Sequence, residues 1–158
     1  MKKFFIKKET PIPFTQEGYN KLVEEKKKLL GERPEAVRHL ADARSMGDLS
    51  ENGYYKASRQ QLSFLDSRIR RVERLLRLAK IVESSNSGKV EIGSTVTVND
   101  GITSTTYSIV GGYESNPAQK TISHISPLGR VLMGKSKNEI VELNAPAGIK
   151  KYTILDIS

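Results

Sequence analysis

The chain has 158 residues, enough for one domain of ordinary size or two small ones. It contains no cysteine, which excludes disulfides, thiolate metal sites and thiol nucleophiles and fits a reducing cytoplasm. The formal net charge is +8, but residues 1–83 hold 19 Lys and Arg against 12 Asp and Glu, whereas residues 84–158 hold 7 against 6. A polyanionic partner and an ordinary solvated helical surface both explain the basic first half.

Residues 1–14 are predicted to form an irregular leader. The segment TPIP places prolines at positions 11 and 13, where neither a helix nor a central strand can continue. The amino end, MKKFFIKK, has only three consecutive apolar residues, too few for the core of a signal peptide, and no later stretch approaches membrane-spanning length. We therefore expect a soluble cytoplasmic protein with no membrane partner.

A first helix is predicted from Thr15, a suitable N-cap, to about Met46. Gly31 and Pro34 weaken its middle, so a kink or a restart is expected near Arg33. Its apolar residues recur at spacings of three, four and seven among charged residues: Tyr19, Leu22, Leu29, Leu30, Val37 and Leu40.

A second helix has one narrow apolar stripe, whose members follow spacings of 3, 4, 3, 4 and 3: Leu62, Leu65, Ile69, Val72, Leu76 and Ala79. Such a helix needs one partner, which predicts an antiparallel two-helix coiled coil over residues 15–83. Each arm of about 30 residues would span about 45 Å. A compact bundle would require a second apolar face, and the sequence offers none.

The sequence GDLSEN, residues 47–52, separates the two helical patterns and is predicted to form the turn between them. Asp48 and Glu51 would then be exposed carboxylates that are available for chemistry. The alternative is a capping box, in which both residues cap the second helix and complement its dipole by roughly 0.3–1 kcal/mol. The two interpretations are compatible, because a capped turn is also a rigid mount for carboxylates.

A Ser- and Gly-rich linker, residues 84–88, precedes a segment with a period of two. Ser126 and Pro127 are predicted to open one short helix there, closed by Gly134. The result is an α+β protein in which residues 89–158 form a small, mainly antiparallel sheet domain. Strands are predicted over residues 95–98, 106–110, 120–125, 139–143 and 152–157.

These features together resemble the bacterial Gre transcript-cleavage factors, GreA and GreB. The resemblance covers nearly the whole chain from Thr15 and is most specific at GDLSEN with its flanks. It implies an FKBP-like fold for the C-terminal domain, without prolyl isomerase activity. The other shared segments are GYNKL at 18–22, ERPE at 32–35, Ala43-Arg44, ISPLGRVLMGK and NAPAG.

The resemblance implies an accessory factor and not a free-standing enzyme. Its coiled coil would enter the secondary channel of a bacterial RNA polymerase and stimulate the polymerase's own cleavage of backtracked RNA at the 3′ end. Asp48 and Glu51 match the catalytic tip acids of the family, and Ser126 and Pro127 match a polymerase-docking loop. We expect a monomer.

The two carboxylates also suit the ligand chemistry of Mg²⁺. Two-metal hydrolysis of a phosphodiester needs one ion to activate water and another to stabilise the leaving oxygen. Mg²⁺ prefers oxygen ligands and can be shared between carboxylates and a phosphate. Asp48 and Glu51 would therefore be metal ligands only in the complex, sharing the Mg²⁺ of the polymerase active site. The protein alone is expected to bind no cofactor.

Arg44, Lys56 and Arg59 are predicted to lie a little below the turn and to contact RNA phosphates. The basic patch of the family includes positions that match Arg44 and Arg59. Taken singly, each arginine is also explained as a solvated surface residue.

In one place the chain departs from the family, which commonly has Ala and an acidic residue where Gly53 and Tyr54 stand here. Cleavage is therefore expected to be weaker than usual. The missing charge favours an alternative function, a channel-binding regulator that modulates or inhibits polymerase without cleavage. Another alternative is a basic coiled coil that binds RNA or DNA directly, with a steep salt dependence.

Overall fold

The computed structural model describes residues 10–47, 51–85, 87–145 and 148–158. They form two compact units. One consists of the described residues of Asn20–Leu78, and the other of the described residues up to Tyr19 together with those of Ala79–Ser158. Within the described ranges, no helix is long and apolar enough to cross a membrane.

Two long helices dominate the first half of the chain: α1, Gln16–Ser45, and α2, Gly53–Leu78. Thr15 caps α1 as predicted, because its hydroxyl accepts a hydrogen bond of 3.0 Å from the Gly18 N–H. The helix continues through Pro34, so the predicted restart near Arg33 does not occur. Proline removes one helical hydrogen bond, and the seam residues Leu29 and Ala36, on either side of Pro34, pack against α2.

An apolar seam joins the two helices. The stripe predicted for α2 is confirmed from Leu62 to Leu76. In α1 the apolar periodicity does not by itself mark the buried positions, since Leu30 and Val37 are 44% and 40% exposed. The buried leucine and alanines of α1 recur every seven residues, at Leu29, Ala36 and Ala43. We call this contact the helix seam; its buried members are Leu29, Ala36, Leu65, Ile69 and Val72.

Ion pairs along the helix seam show that the helices are antiparallel. The Arg68 guanidinium donates to the Glu25 carboxylate over 2.8 Å, and the Arg33 Nε donates to the Asp66 Oδ1 over 2.8 Å. Residues later in α1 therefore meet residues earlier in α2. The predicted antiparallel helical pair is confirmed.

A short parallel ribbon pairs β1, Ile12–Phe14, with β2, Ala79–Ile81. The sequence analysis assigned residues 12–14 to an irregular leader and residues 79–81 to the helical stalk, and both assignments were wrong for these residues. Pro13 is tolerated because the ribbon has only two strands, so a missing N–H can face away from the partner. Phe14 is fully buried, which anchors the strand.

The C-terminal half forms a five-stranded sheet in the order β5-β4-β3-β7-β6. All neighbours are antiparallel except β4 and β5. Helix α3, Pro127–Leu132, packs on it through Leu132. The predicted α+β architecture is confirmed. The strands are β3, Thr95–Asn99; β4, Ser104–Val110; β5, Thr121–Ser123; β6, Ile140–Ala145; and β7, Gly148–Ile157.

The adjacent leucines of α1 test the helix seam. We expect Leu29→Ala to destabilise the helical unit by about 2–5 kcal/mol, because Leu29 is 1% exposed and its loss leaves a cavity. The matched control, Leu30→Ala, should cost less than about 1 kcal/mol, because Leu30 is 44% exposed. Urea unfolding followed by far-ultraviolet circular dichroism measures both. Equal losses would contradict the assigned seam.

The Arg33–Asp66 pair predicts a pH dependence. The hydrogen bond from Arg33 lowers the pKa of Asp66, so the pair contributes stability above the ordinary carboxyl pKa. That contribution is lost as pH falls through the lowered pKa, below about pH 4. We expect Asp66→Asn to reduce the dependence of the thermal midpoint on pH in this acidic window. The control Asp42→Asn should leave the dependence unchanged, and an identical loss in both variants would contradict the assignment.

Candidate functional site

The segment between α1 and α2, residues 47–52, is called the tip turn, and the structure describes Gly47, Glu51 and Asn52 of it. Gly47 adopts a left-handed backbone, with φ +73°, and so ends α1 in the way that glycine favours. Its N–H donates to the Arg44 carbonyl over 3.4 Å. Asp48, the first predicted tip acid, lies outside the described residues, and Glu51 is the described member of the pair.

Asn52 fixes the tip turn to both helices. Its side-chain oxygen accepts from the Tyr55 N–H at 3.0 Å and caps α2, while its side-chain nitrogen donates to the Ala43 carbonyl at 3.1 Å. The capping-box alternative, in which Glu51 occupied the third position of the helix, was therefore wrong. The helix begins at Gly53, and Asn52 is the cap.

Glu51 directly precedes this cap and is exposed to solvent. Its carboxylate lies at the positive end of the α2 dipole, where a negative charge is stabilised. Because Asn52 caps the helix, the exposed Glu51 carboxylate has no capping role. The structure thus holds this acid on a fixed mount without using it as the cap.

A hydrogen bond between His39 and Tyr54 also crosses the helices near the tip turn. The His39 Nδ1 lies 2.8 Å from the Tyr54 hydroxyl, and the two rings meet edge to face. Glu35 approaches the other ring nitrogen at 3.5 Å. Tyr54 stands where the family commonly has an acid, so here that position fastens α2 to α1. The sequence analysis noted the missing charge but not this bond.

The predicted basic residues are all exposed, and two of them line one surface depression. Lys56 and Arg59 line a surface depression of about 570 Å³ on α2. Arg44, on α1, is exposed but does not line it. Phe64 also lines the depression, and the sequence analysis missed it. The sequence could have indicated Phe64, because it is an aromatic residue that does not belong to the apolar stripe of α2.

Ser126 and Pro127, the predicted docking residues, lie in the other compact unit. The Ser126 hydroxyl accepts from the Gly129 N–H at 3.0 Å, and Pro127 takes the first helical position. A side chain at Gly129 would collide with the Ser123 carbonyl oxygen, so the turn is closely packed. Pro127 is exposed on this fixed turn.

Two family models match this chain over most of its length. A model of the N-terminal domain of the transcription elongation factors GreA and GreB matches residues 12–81, and a model of their C-terminal domain matches residues 84–158. The chain belongs to the GreA/GreB family of transcription elongation factors. The resemblance identified from the sequence is confirmed.

Individual relatives agree with the family assignment. Transcription elongation factor GreA of Pelobacter propionicus is 42% identical over 151 residues, covering 92% of this chain and 96% of that protein. GreA of Buchnera aphidicola is 43% identical, with the same two coverages. A crystal structure of GreA factor homolog 1 (Gfh1) of Thermus thermophilus is 23% identical and covers 94% of this chain and 99% of its own, with a TM-score of 0.45.

Two substitutions of Asn52 separate its two hydrogen bonds. We expect Asn52→Ala to cost about 0.5–2 kcal/mol and to speed amide exchange in the first turn of α2, because the cap is lost. Asn52→Asp keeps an acceptor for the Tyr55 N–H and should preserve that protection while losing the bond to Ala43. Hydrogen exchange read by mass spectrometry measures the difference. Unchanged exchange in Asn52→Ala would contradict the assigned cap.

Proposed function

We propose that this chain enters the secondary channel of a bacterial RNA polymerase and stimulates the polymerase's own cleavage of backtracked RNA. Membership of the GreA/GreB family supports the elongation role. The observation that carries the finer proposal is the tip turn, where Glu51 is exposed beside a capped helix start. The chain would act in the cytoplasm as an accessory factor, and without polymerase it would cleave no RNA.

The carboxylates of Asp48 and Glu51 would act at the Mg²⁺ ions of the polymerase. Magnesium ligands are oxygen atoms, and exposed carboxylates on a fixed turn suit that requirement. When bound, one Mg²⁺ would activate water and another would stabilise the leaving oxygen. Asp48 and Glu51 would supply ligand oxygens or hold the attacking water, and the antiparallel helices would hold both acids in position. The structure describes Glu51 of this pair.

The basic residues would hold the displaced RNA. Lys56 and Arg59 are exposed on the first turns of α2, and Arg44 is exposed on the last turn of α1. Charges at these positions would contact phosphates and orient a strand without reading its sequence. Ser126 and Pro127 would dock on the polymerase in a separate contact.

A second candidate function follows from Tyr54. Its hydroxyl is engaged with His39, at the position where the family commonly supplies another negative charge. With one acid fewer, the chain could occupy the channel and slow the polymerase without promoting cleavage. Shortened transcripts in a backtracked complex support the first function, and slowed elongation without shortening supports the second.

Neutralising the tip acids tests the proposal. We expect Asp48→Asn and Glu51→Gln each to leave polymerase binding intact and to abolish cleavage in purified backtracked complexes with Mg²⁺, because the ligand oxygens lose their charge. Asp42→Asn, another exposed acid near the end of α1, is the matched control and should cleave normally. Gel analysis of labelled transcripts measures the cleavage.

Cleavage at the normal rate by both tip variants would contradict the proposed role of these carboxylates. Loss of polymerase binding in the same variants would also contradict it, because the acids would then act in docking. A wild-type protein that binds but yields no shortened RNA would favour the regulatory alternative.

A further inference from the structure

Phe64 is an aromatic side chain left in solvent on the outer face of α2. It is 67% exposed, although its neighbour Leu65 belongs to the buried helix seam. The depression that it lines, of about 570 Å³, has no acidic side chain among the lining residues that the structure describes. The others are Lys56, Arg59, Gln60, Ser63 and Ser67.

The helical spacing arranges these side chains in two rows. Lys56, Gln60 and Phe64 follow each other at intervals of four, and so do Arg59, Ser63 and Ser67. From Lys56 to Phe64 the axial rise is about 12 Å. A cation therefore begins each row, uncharged hydrogen-bonding groups follow, and an aromatic ring ends one row.

The outer face of α2 is basic because its acids are turned toward α1. Helix α2 contains only two acidic residues, Asp66 and Glu73. Asp66 is paired with Arg33 and Glu73 with Lys26, both residues of α1. Beyond Ser67, the exposed Arg70 and Arg71 continue the same face at spacings of three and four. This face attracts phosphates over several turns of the helix.

On its other side Phe64 borders a second depression, of about 370 Å³, that reaches α1. Glu32 and Glu35 line that depression together with one cation, Arg68, whereas the first depression has two cations and no acid among its described lining residues. A bound strand would therefore favour the basic side of Phe64 over the groove between the helices.

We propose that Phe64 is a stacking platform for a base of single-stranded RNA whose phosphates are held by Lys56, Arg59 and the arginines beyond Ser67. Aromatic rings beside basic side chains bind single strands because every base has a face that can stack. A protein partner fits less well, because Phe64 is the one apolar side chain among the described residues that line this depression. The inference deepens the proposed function, on which its biological role rests.

The test measures RNA binding by the isolated full chain, so it does not need polymerase. A fluorescein-labelled ten-nucleotide single-stranded RNA and an abasic strand of the same length are titrated at low salt by fluorescence anisotropy. We expect Phe64→Ala to weaken binding of the normal strand by about fivefold or more and to leave the abasic strand unaffected. Phe64→Trp should retain binding, whereas Phe64→Leu should resemble Phe64→Ala.

Two controls identify the cause of any change. Met46→Ala removes an apolar side chain that is also 67% exposed, and it should leave the affinity unchanged. Arg70→Gln should weaken both strands alike and reduce the salt slope by about 0.7, as expected for one lost phosphate contact. The circular dichroism melt of each variant should match the wild-type melt.

The proposal is overturned if Phe64→Ala binds the normal strand like the wild type, or loses the abasic strand equally. Full binding by Phe64→Leu would also overturn it, since apolar bulk alone would then suffice. If Phe64→Ala weakened only polymerase binding, the face would be a protein contact. Asp48→Asn should bind RNA at least as well as the wild type, so failure of the cleavage mechanism is distinguishable from failure of this one.

Discussion

The helix seam between α1 and α2 is the contact on which the tip turn depends. Leu29 and Ala36 of α1 bury their side chains against Leu65, Ile69 and Val72 of α2. An isolated helix with one apolar stripe is marginal in water, because most of its stability comes from packing that stripe. Each helix is therefore ordered by the other.

Polar contacts near the tip turn fix the start of α2 relative to the end of α1. Asn52 bonds to the first turn of α2 and to the end of α1, and Tyr54 bonds to His39. These bonds hold the start of α2, directly after Glu51, against the end of α1. The cross-helix ion pairs of α2 also turn its acids toward α1, so the same pairing leaves the outer face basic. Helix packing thus accounts for both the position of Glu51 and the basic face.

The sequence predicted those parts of the fold that local periodicity determines. The α2 stripe was correct because large aliphatic residues mark it, whereas in α1 the buried positions Ala36 and Ala43 carry little hydrophobic signal. The β1–β2 ribbon was missed because its strands are three residues long and pair across most of the helical segment. The cap was misplaced because Asp48 and Glu51 also have capping spacing. Phe64 was missed because the stripe pattern identifies buried positions and gives no information on the function of an exposed aromatic side chain.

The proposed function requires the tip turn to reach the metal centre of RNA polymerase. Replacing the Mg²⁺ of that centre with Fe²⁺ in a backtracked complex, and adding peroxide and ascorbate, produces hydroxyl radicals that cut nearby backbone. An end-labelled copy of this chain then shows where it lies. We expect cuts confined to a few residues on either side of the tip turn, residues 47–52. Cuts confined to residues 89–158, or none in a complex that binds the factor, would contradict the account.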